Sequence, residues 1–270
     1  MVDQTAQARI EGATAYEQHF VPALFADWAP RVADAAKLQS GNRVLDVACG
    51  TGVLAREAAK RVVPDGSVVG LDVDDAMVTV AARVAPQIEW RQAPAEAIPY
   101  PSDSFDAVVS QFGLMFFSDQ RAAVNEMVRV LRASGGLCVA VWNSLDAAPG
   151  FAALVNLLQH RFGTAVADVL RAPFSLGERA KLSALFAQPG LSPVEISTQQ
   201  GAARFHTIRA WMETEVRGWL ACAGHPLSDA QIGLLVQDAE KAFPSFVTAK
   251  NTVEVPISAH IICAIKNGPR

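Results

Sequence analysis

The sequence predicts an α/β fold, a mainly parallel sheet with helices on both faces. Three observations predict it. Short apolar runs recur at 43–49, 68–73, 88–90, 105–110 and 137–142, each bounded by turn residues. The longer connections between them carry apolar residues at helical spacing, and strands that alternate with helices at short intervals pair in parallel. The chain has 270 residues, 51% of them hydrophobic, enough for one sizeable core.

Each element has its own warrant. Residues 12–37 read as helix, with Tyr16, Phe20, Leu24, Phe25 and Trp28 on an aromatic face, divided into pieces by Pro22 and Pro30. Strand one is Arg43–Cys49. The helix from Gly52 to Val62 turns Leu54, Ala58 and Ala59 to the sheet, and Pro64-Asp-Gly66 ends the unit with a turn. Strand two is Val68–Val73, followed by a helix with Met77, Val80, Ala81 and Val84. Ile88–Trp90 and Phe105–Ser110 are strands three and four. Ala122–Leu131 is helical, and Gly135-Gly136 turns into strand five, Leu137–Trp142. Beyond Trp142 the rhythm changes. Helical pieces fill 146–175, and Arg179–Ala187 is a helix closed by Pro189-Gly190. Val194–Thr198 is strand six, 207–243 is largely helical, and Val253–Ile265 contains a last strand broken at Pro256.

The densest signal is Val44-Leu-Asp-Val-Ala-Cys-Gly-Thr-Gly52, a buried strand running into a glycine turn, with Asp72 at the end of the next strand. This pattern places a nucleoside at the carboxyl edge of a parallel sheet. Gly50-x-Gly52-x-x-Ala55 also satisfies the loose dinucleotide fingerprint, so the turn alone leaves two cofactors open, NAD and S-adenosylmethionine. Asp46, two residues before the turn, is ill placed beside a pyrophosphate and well placed beside an ammonium group. No second glycine-rich βαβ half is present for a nicotinamide nucleotide. The plainer role for Asp72 is to cap the following helix.

At these residues the chain resembles the class I S-adenosylmethionine-dependent methyltransferases, in the broad group of the ubiquinone and menaquinone C-methyltransferases. The resemblance rests on the 44–52 segment, Val69-Gly-Leu-Asp-Val73, Ala95-Glu-Ala-Ile-Pro-Tyr-Pro-Ser-Asp-Ser-Phe-Asp106 and Val130-Leu-Arg-Ala-Ser-Gly-Gly136, and covers about 40–142. It implies a Rossmann-like seven-stranded mainly parallel sheet with an antiparallel last strand, helices on both faces and a helical cap. It divides the single domain into an N-terminal lid (1–37), a cofactor-binding core (38–145) and two cap segments (146–192 and 200–250). The resemblance also implies roles for individual residues. Gly50, Gly52 and Ala48 pass under the methionyl part, Asp46 orients its amino acid end, and Tyr16 approaches it from the lid. Asp72 takes the ribose hydroxyls, Val73 and Met77 pack on the adenine, and Ala95 with Glu96 meets its edge. Ser110, Gln111 and Phe112 border the sulfonium. Two departures stand out: Pro94 occupies a position where the family often has an Asp, and Ser134 replaces a Pro before Gly135-Gly136.

Methyl transfer needs the acceptor held in line and water excluded. A base helps where the acceptor loses a proton, and His19 and His206 are the candidates. His160, His225 and His260 read as structural or exposed. The pocket is expected from Phe20, Phe112, Met115, Phe116, Trp142, Asn143, Phe151, Phe205 and Trp211, which suits a small hydrophobic or aromatic acceptor methylated on oxygen or carbon. No metal site is expected, since Cys222-x-x-His225 stands without a second pair. The alternatives are an NAD-linked oxidoreductase and a non-catalytic nucleoside-binding protein.

The net charge of −4 without a long basic run argues against a nucleic-acid partner. Charged residues are 19%, low enough to suggest apolar surface at a pocket or a homodimer interface. Four separated cysteines, no signal-peptide core and no apolar run of membrane-spanning length fit a cytoplasmic protein.

Overall fold

In a computed structural model describing residues 4–188, 190–221 and 223–268, seven strands form one sheet in the order β3-β2-β1-β4-β5-β7-β6. The strands are β1 (Arg43–Val47), β2 (Ser67–Asp72), β3 (Glu89–Gln92), β4 (Phe105–Gln111), β5 (Leu131–Trp142), β6 (Leu191–Phe205) and β7 (Val253–Lys266). β1 pairs in parallel with β2 and β4, and β4 with β5, while β7 runs antiparallel to both its neighbours. The expected sheet, with its antiparallel last strand, is therefore present. Val44–Val47 are all buried, as a central strand covered on both faces requires.

The covering helices follow from their apolar faces. α1 (Gln4–Ala15) and α2 (Ala29–Ala35) flank a π-helical turn, Tyr16–Phe25, in the N-terminal region. α3 (Val53–Val62) buries Leu54, Ala55, Ala58 and Val62, residues one helical turn apart. α4 (Asp75–Val84) is capped by Asp74, whose side chain accepts from Ala76 N, so Asp72 is not the cap. α5 (Gln120–Val130) buries Ala123, Val124, Met127 and Val130. Two helical insertions crown the carboxyl edge. α6 (Pro149–Phe162), α7 (Thr164–Arg171) and α8 (Arg179–Phe186) lie between β5 and β6. Between β6 and β7 come α9 (Ile208–Thr214), a π-helical turn at Glu215–Leu220 and α10 (Asp229–Ala242).

Several boundaries differ from the sequence expectation. β5 starts at Leu131, directly after α5, and β6 is 15 residues long rather than five. Its burial pattern is irregular, mostly half-exposed, which hides the strand from an alternation test. β7 passes unbroken through Pro256, where it pairs with Ala202 of β6; its pairing with β5 begins only at Ala259. Pro256 therefore needs no N–H toward β5, and the ring is tolerated. The helix of the N-terminal region begins at Gln4 rather than residue 12, and Pro22 sits inside the π-turn instead of ending the helix. Pro189 and Cys222 lie outside the described residues.

His260 is 2% exposed and locks the first cap to the sheet. Its Nδ1 meets Thr198 Oγ1 and its Nε2 meets the Gly177 carbonyl, both at 2.9 Å. A Cβ on Gly177 would stand 2.1 Å from Ser144 N and 2.5 Å from the Asn143 carbonyl carbon. These are backbone atoms at the exit of β5 and cannot rotate away. Gly177→Ala should lower unfolding stability by about 1–3 kcal/mol, the usual cost of overpacking, read as a lower urea midpoint at unchanged slope.

Candidate functional site

The strand order reverses between β1 and β4, and the crevice opened there holds the glycine turn. The turn is left-handed at three places, with φ of 57° at Ala48, 53° at Gly50 and 89° at Gly52. Glycine adopts such angles freely, whereas Ala48 does so against its Cβ. Ala48 Cβ in turn leaves no room at Gly113, where an added Cβ would come within 2.5 Å. Gly52 passes beneath the Trp90 ring, which lies 2.2 Å from where its Cβ would be. The Gly50 amide donates to Asp72 Oδ2 at 2.7 Å, and the Asp74 amide donates to Oδ1 at 3.0 Å. Burial raises the Asp72 pKa, and these two amides oppose the rise.

Asp46 is 1% exposed, and neither carboxylate oxygen has a hydrogen-bond partner. Burial, followed by the nearby charge of Asp72, drives its pKa well up, while the Ala55 amide and Arg56 oppose the rise. Arg56 is itself committed, donating to Thr51 O at 2.7 Å and Glu17 Oε1 at 2.8 Å. The turn thus has two half- to fully buried carboxyls beneath it and a cation already paired. Such a cradle suits a positively charged ligand and opposes a pyrophosphate.

The N-terminal region closes over this turn. Tyr16 Cε1 and Oη lie 3.7 and 3.8 Å from a Cβ built on Gly50. Burial and then Asp72 raise the Tyr16 pKa, so the phenol is neutral. Glu17 fastens the closure, accepting from Thr51 Oγ1 at 2.5 Å as well as from Arg56. α1 packs on α4 through Ile10 and Ala13 against Ala76, Met77 and Val80. Met77, expected on the adenine, is part of this small separate core.

A cleft of about 200 Å³ runs from Ala48 past Asp72, Val73, Ala93, Pro94 and Ala95 to Phe116 and Ser118. Glu96 lines it too, but its Oε1 is occupied by Ser118 N, Ser118 Oγ and Asp119 N, at 3.0, 2.8 and 3.2 Å. It holds the loop after β4 in place. Ser110 is fully buried with its Oγ unpartnered. Gln111 donates to Phe25 O at 3.1 Å and leaves Oε1 unpartnered.

Beyond Phe116 lies a second, apolar cavity of about 50 Å³. Phe20, Leu24 and Phe25 of the lid, Phe112, Phe116 and Trp142 of the sheet edge, and Phe151, Phe174 and Trp219 of the caps line it. Phe112 stacks on Trp142 with centroids 3.6 Å apart, and it does so from a left-handed backbone, φ 57°. Trp219 is held by Nε1 donating to Val169 O at 2.9 Å and sits 5.1 Å from Phe116. Five of the expected pocket residues, Phe20, Phe112, Phe116, Trp142 and Phe151, therefore meet here.

Other expected residues go elsewhere. Met115 is buried but does not line the cavity. Asn143 holds the exit of β5, donating to Ser258 Oγ and accepting from Ser144 N. Trp211 is fully buried among Phe151, Phe205, Phe243 and Phe246, which makes Phe205 and Trp211 the centre of the cap. His19 and His206 are exposed and line an outer cleft of about 710 Å³ with Arg204, Lys250 and Glu254. Neither borders the turn, the nucleoside cleft or the aromatic cavity, so both are corrected as candidate bases.

The residue that sequence reasoning missed is Glu215. It is 3% exposed and faces the aromatic cavity. Burial pushes its pKa up to about 8, and the Trp211 indole N–H opposes the rise without reaching hydrogen-bond geometry. The signal was present in the pattern Ile208, Trp211, Met212, Glu215, Val216, Leu220, where one charged residue stands on an otherwise apolar helical face.

Residues 44–135 match a family model described as a methyltransferase domain. Ubiquinone/menaquinone biosynthesis C-methyltransferase UbiE of Pseudomonas putida is 40% identical over 118 residues, 42% of this chain and 46% of that relative. The match thus spans about half the length of the curated relative. Among solved structures, YcgJ from Bacillus subtilis superposes with a TM-score of 0.59 at 21% identity, covering 89% of this chain and 98% of that one. Haemonchus contortus phosphoethanolamine N-methyltransferase 2, in complex with phosphomonomethylethanolamine and S-adenosylhomocysteine, superposes with a TM-score of 0.61 at 16% identity, covering 96% and 58%. These two likenesses are likenesses of fold.

Two predictions test the electrostatics of the site. Asp46→Asn should raise the unfolding stability of the ligand-free protein at neutral pH, since it removes an unpartnered buried carboxyl; a loss measured by urea titration would mean that Asp46 serves the fold. For Glu215 the sign follows from its raised pKa. The unfolded chain loses this proton near 4.5 and the folded protein holds it to about 8. Stability must fall as pH rises through that window and level off above it. Glu215→Gln should remove this fall, which at ~1.4 kcal/mol per unit is several kcal/mol at most, as read by urea titrations at pH 5 and pH 8.5.

Proposed function

We propose that this chain, which carries a class I methyltransferase domain over residues 44–135, is an S-adenosylmethionine-dependent methyltransferase acting on oxygen or carbon of a small, mainly apolar molecule. The observation that carries the reading is Asp46, a buried carboxyl without a partner under a left-handed glycine turn. An ammonium group supplies the missing charge and the missing hydrogen bonds together. Asp72, at the end of the next strand, has the position from which a carboxylate accepts ribose hydroxyls. Val73, Ala95 and Pro94 provide an apolar bed for the base.

When bound, S-adenosylmethionine supplies a methyl group on a positively charged sulfur that is already a good leaving group. The chain's part is to bind, align and exclude water. Tyr16 shields the turn, and the aromatic rings of the cavity hold the acceptor beyond Phe116. The relative from Pseudomonas putida is by its name a C-methyltransferase, which keeps carbon open beside oxygen. The family match ends at residue 135, before the caps, so the acceptor class is argued from the cavity alone. That cavity is apolar and narrow, about 50 Å³, which favours a small molecule over a protein tail or a nucleic-acid base. The four separated cysteines fit a cytoplasmic setting, and among the described residues no helix is long and apolar enough to cross a membrane.

Titration calorimetry with S-adenosylmethionine, S-adenosylhomocysteine and NAD tests the reading. Binding of the first two without the third is expected, and binding of NAD alone would overturn it. Asp72→Ala should weaken S-adenosylhomocysteine roughly 10- to 100-fold, the worth of hydrogen bonds to a charged group; unchanged affinity would sink the ribose assignment.

A further inference from the structure

β5 and β7 run antiparallel, and their register sets Cys138 directly opposite Cys263. Residues opposite each other in such a pair point to the same face, with Cα atoms about 4.5 to 5.5 Å apart. A disulfide spans Cα separations of about 4.4 to 6.8 Å, so this pair can be linked without moving the strands apart or together. The two side chains already interact, the Cys138 thiol donating to the Cys263 sulfur. Cys263 Sγ also points to Ala35 O, 3.6 Å away, which places the pair beneath the end of α2. Both cysteines are free, and neither lines the nucleoside cleft or the aromatic cavity.

The two sulfurs differ in access. Cys138 is 0% exposed, whereas Cys263 is half-buried. The neighbouring rung on the same face pairs Gly136 with Ile265, so only one of the two strands carries a side chain there. Gly136 and Ile265 line an outer cleft of about 390 Å³ with Ala35 and Lys37. The cleft thus opens beside Cys263, at the rung where a side chain is missing. The hydrogen bond from Cys138 lowers the Cys263 pKa, with help from Lys37 and against burial and Glu195. The same contact, and then burial, raises the Cys138 pKa.

We propose that Cys138 and Cys263 form an oxidative modification site, at which a small hydroperoxide produces a reversible cross-strand disulfide. Cys263 reacts first. Its thiolate attacks the peroxide, the O–O bond breaks, and the sulfur is oxidised to a sulfenic acid while the peroxide is reduced to an alcohol, or to water from hydrogen peroxide. The Cys138 sulfur then attacks the Cys263 sulfur. The S–S bond forms, the S–O bond breaks, and the oxygen leaves as water with the Cys138 proton. In total, two thiols and one hydroperoxide give one disulfide, one alcohol and one water. The chain between the two cysteines carries both caps and β6. Closing it into a loop restricts the unfolded chain, so the disulfide makes this part of the molecule harder to unfold. A transient bond of this kind is compatible with a reducing compartment. The proposal is independent of the methyltransferase reading.

The test treats the full chain with hydrogen peroxide, blocks remaining thiols with N-ethylmaleimide and maps peptides by mass without reductant. The expected product is a peptide pair joined through Cys138 and Cys263, two hydrogens lighter than the sum of its parts and separated by dithiothreitol. The oxidised protein should unfold at a higher urea concentration than the reduced one, and dithiothreitol should restore the lower midpoint. Cys138→Ala should halt the reaction at a Cys263 sulfenic acid, captured by dimedone. Cys263→Ser should leave Cys138 unoxidised in the folded protein; it alters the half-buried position and guards against an alanine variant that fails to fold. Absence of the joined peptide, joining of either residue to Cys49 or Cys222 instead, oxidation of Cys138 in the Cys263→Ser variant, or a joined protein whose urea midpoint does not rise would overturn the proposal.

Discussion

A 2.7 Å hydrogen bond from the Gly50 amide to Asp72 ties the end of β1 to the end of β2, and the site is assembled around it. It fixes the glycine turn against the neighbouring strand, so that Asp46 is sealed beneath and Tyr16 has a flat floor to cover. The amide is free to make this bond because Gly50 takes a left-handed φ of 53°, which a side chain would resist. On the other side of β1, the reversal of strand order between β1 and β4 leaves the space into which the turn protrudes.

The burial of charge in this site runs against stability. Asp46 and Glu215 are both nearly inaccessible, both lack partners on at least one oxygen, and both have raised pKa values. A fold optimised only for stability would replace them with apolar residues of similar size. Their placement at the floor of the turn and at the wall of the cavity is what a binding site built for polar partners demands. The aromatic residues between them do the opposite work. Phe112 accepts a left-handed backbone to lie flat on Trp142, and that pair closes the sheet edge against water.

Much of this was legible in the sequence, and the limits have physical causes. The glycine turn and the strand at 44–47 were readable because their constraints are local: hard φ requirements and burial on both faces. Asp72 was readable for the same reason. β6 was underestimated because it is half-exposed along an outer edge, where neither face is forced to be apolar. His19 and His206 were drawn toward the chemistry by their residue type, whereas their surroundings are set by long-range packing that no local pattern records, and they face an outer cleft. Glu215 shows the converse. Its helix was readable, but deciding that a lone charge on the apolar face points into a cavity requires knowing what the other side of the cavity is.

The π-helical turn at Tyr16–Phe25 has a thermodynamic consequence. One end of it, Tyr16, covers the glycine turn, and the other residues, Phe20, Leu24 and Phe25, close the aromatic cavity. That cavity, at about 50 Å³, has room for one or two waters and for no aromatic ring. An acceptor that displaces Phe20, Leu24 or Phe25 acts on the same segment whose first residue covers the glycine turn. Two ligands that move one element cannot bind independently: whatever factor the first imposes on the affinity of the second, the second must return to the first.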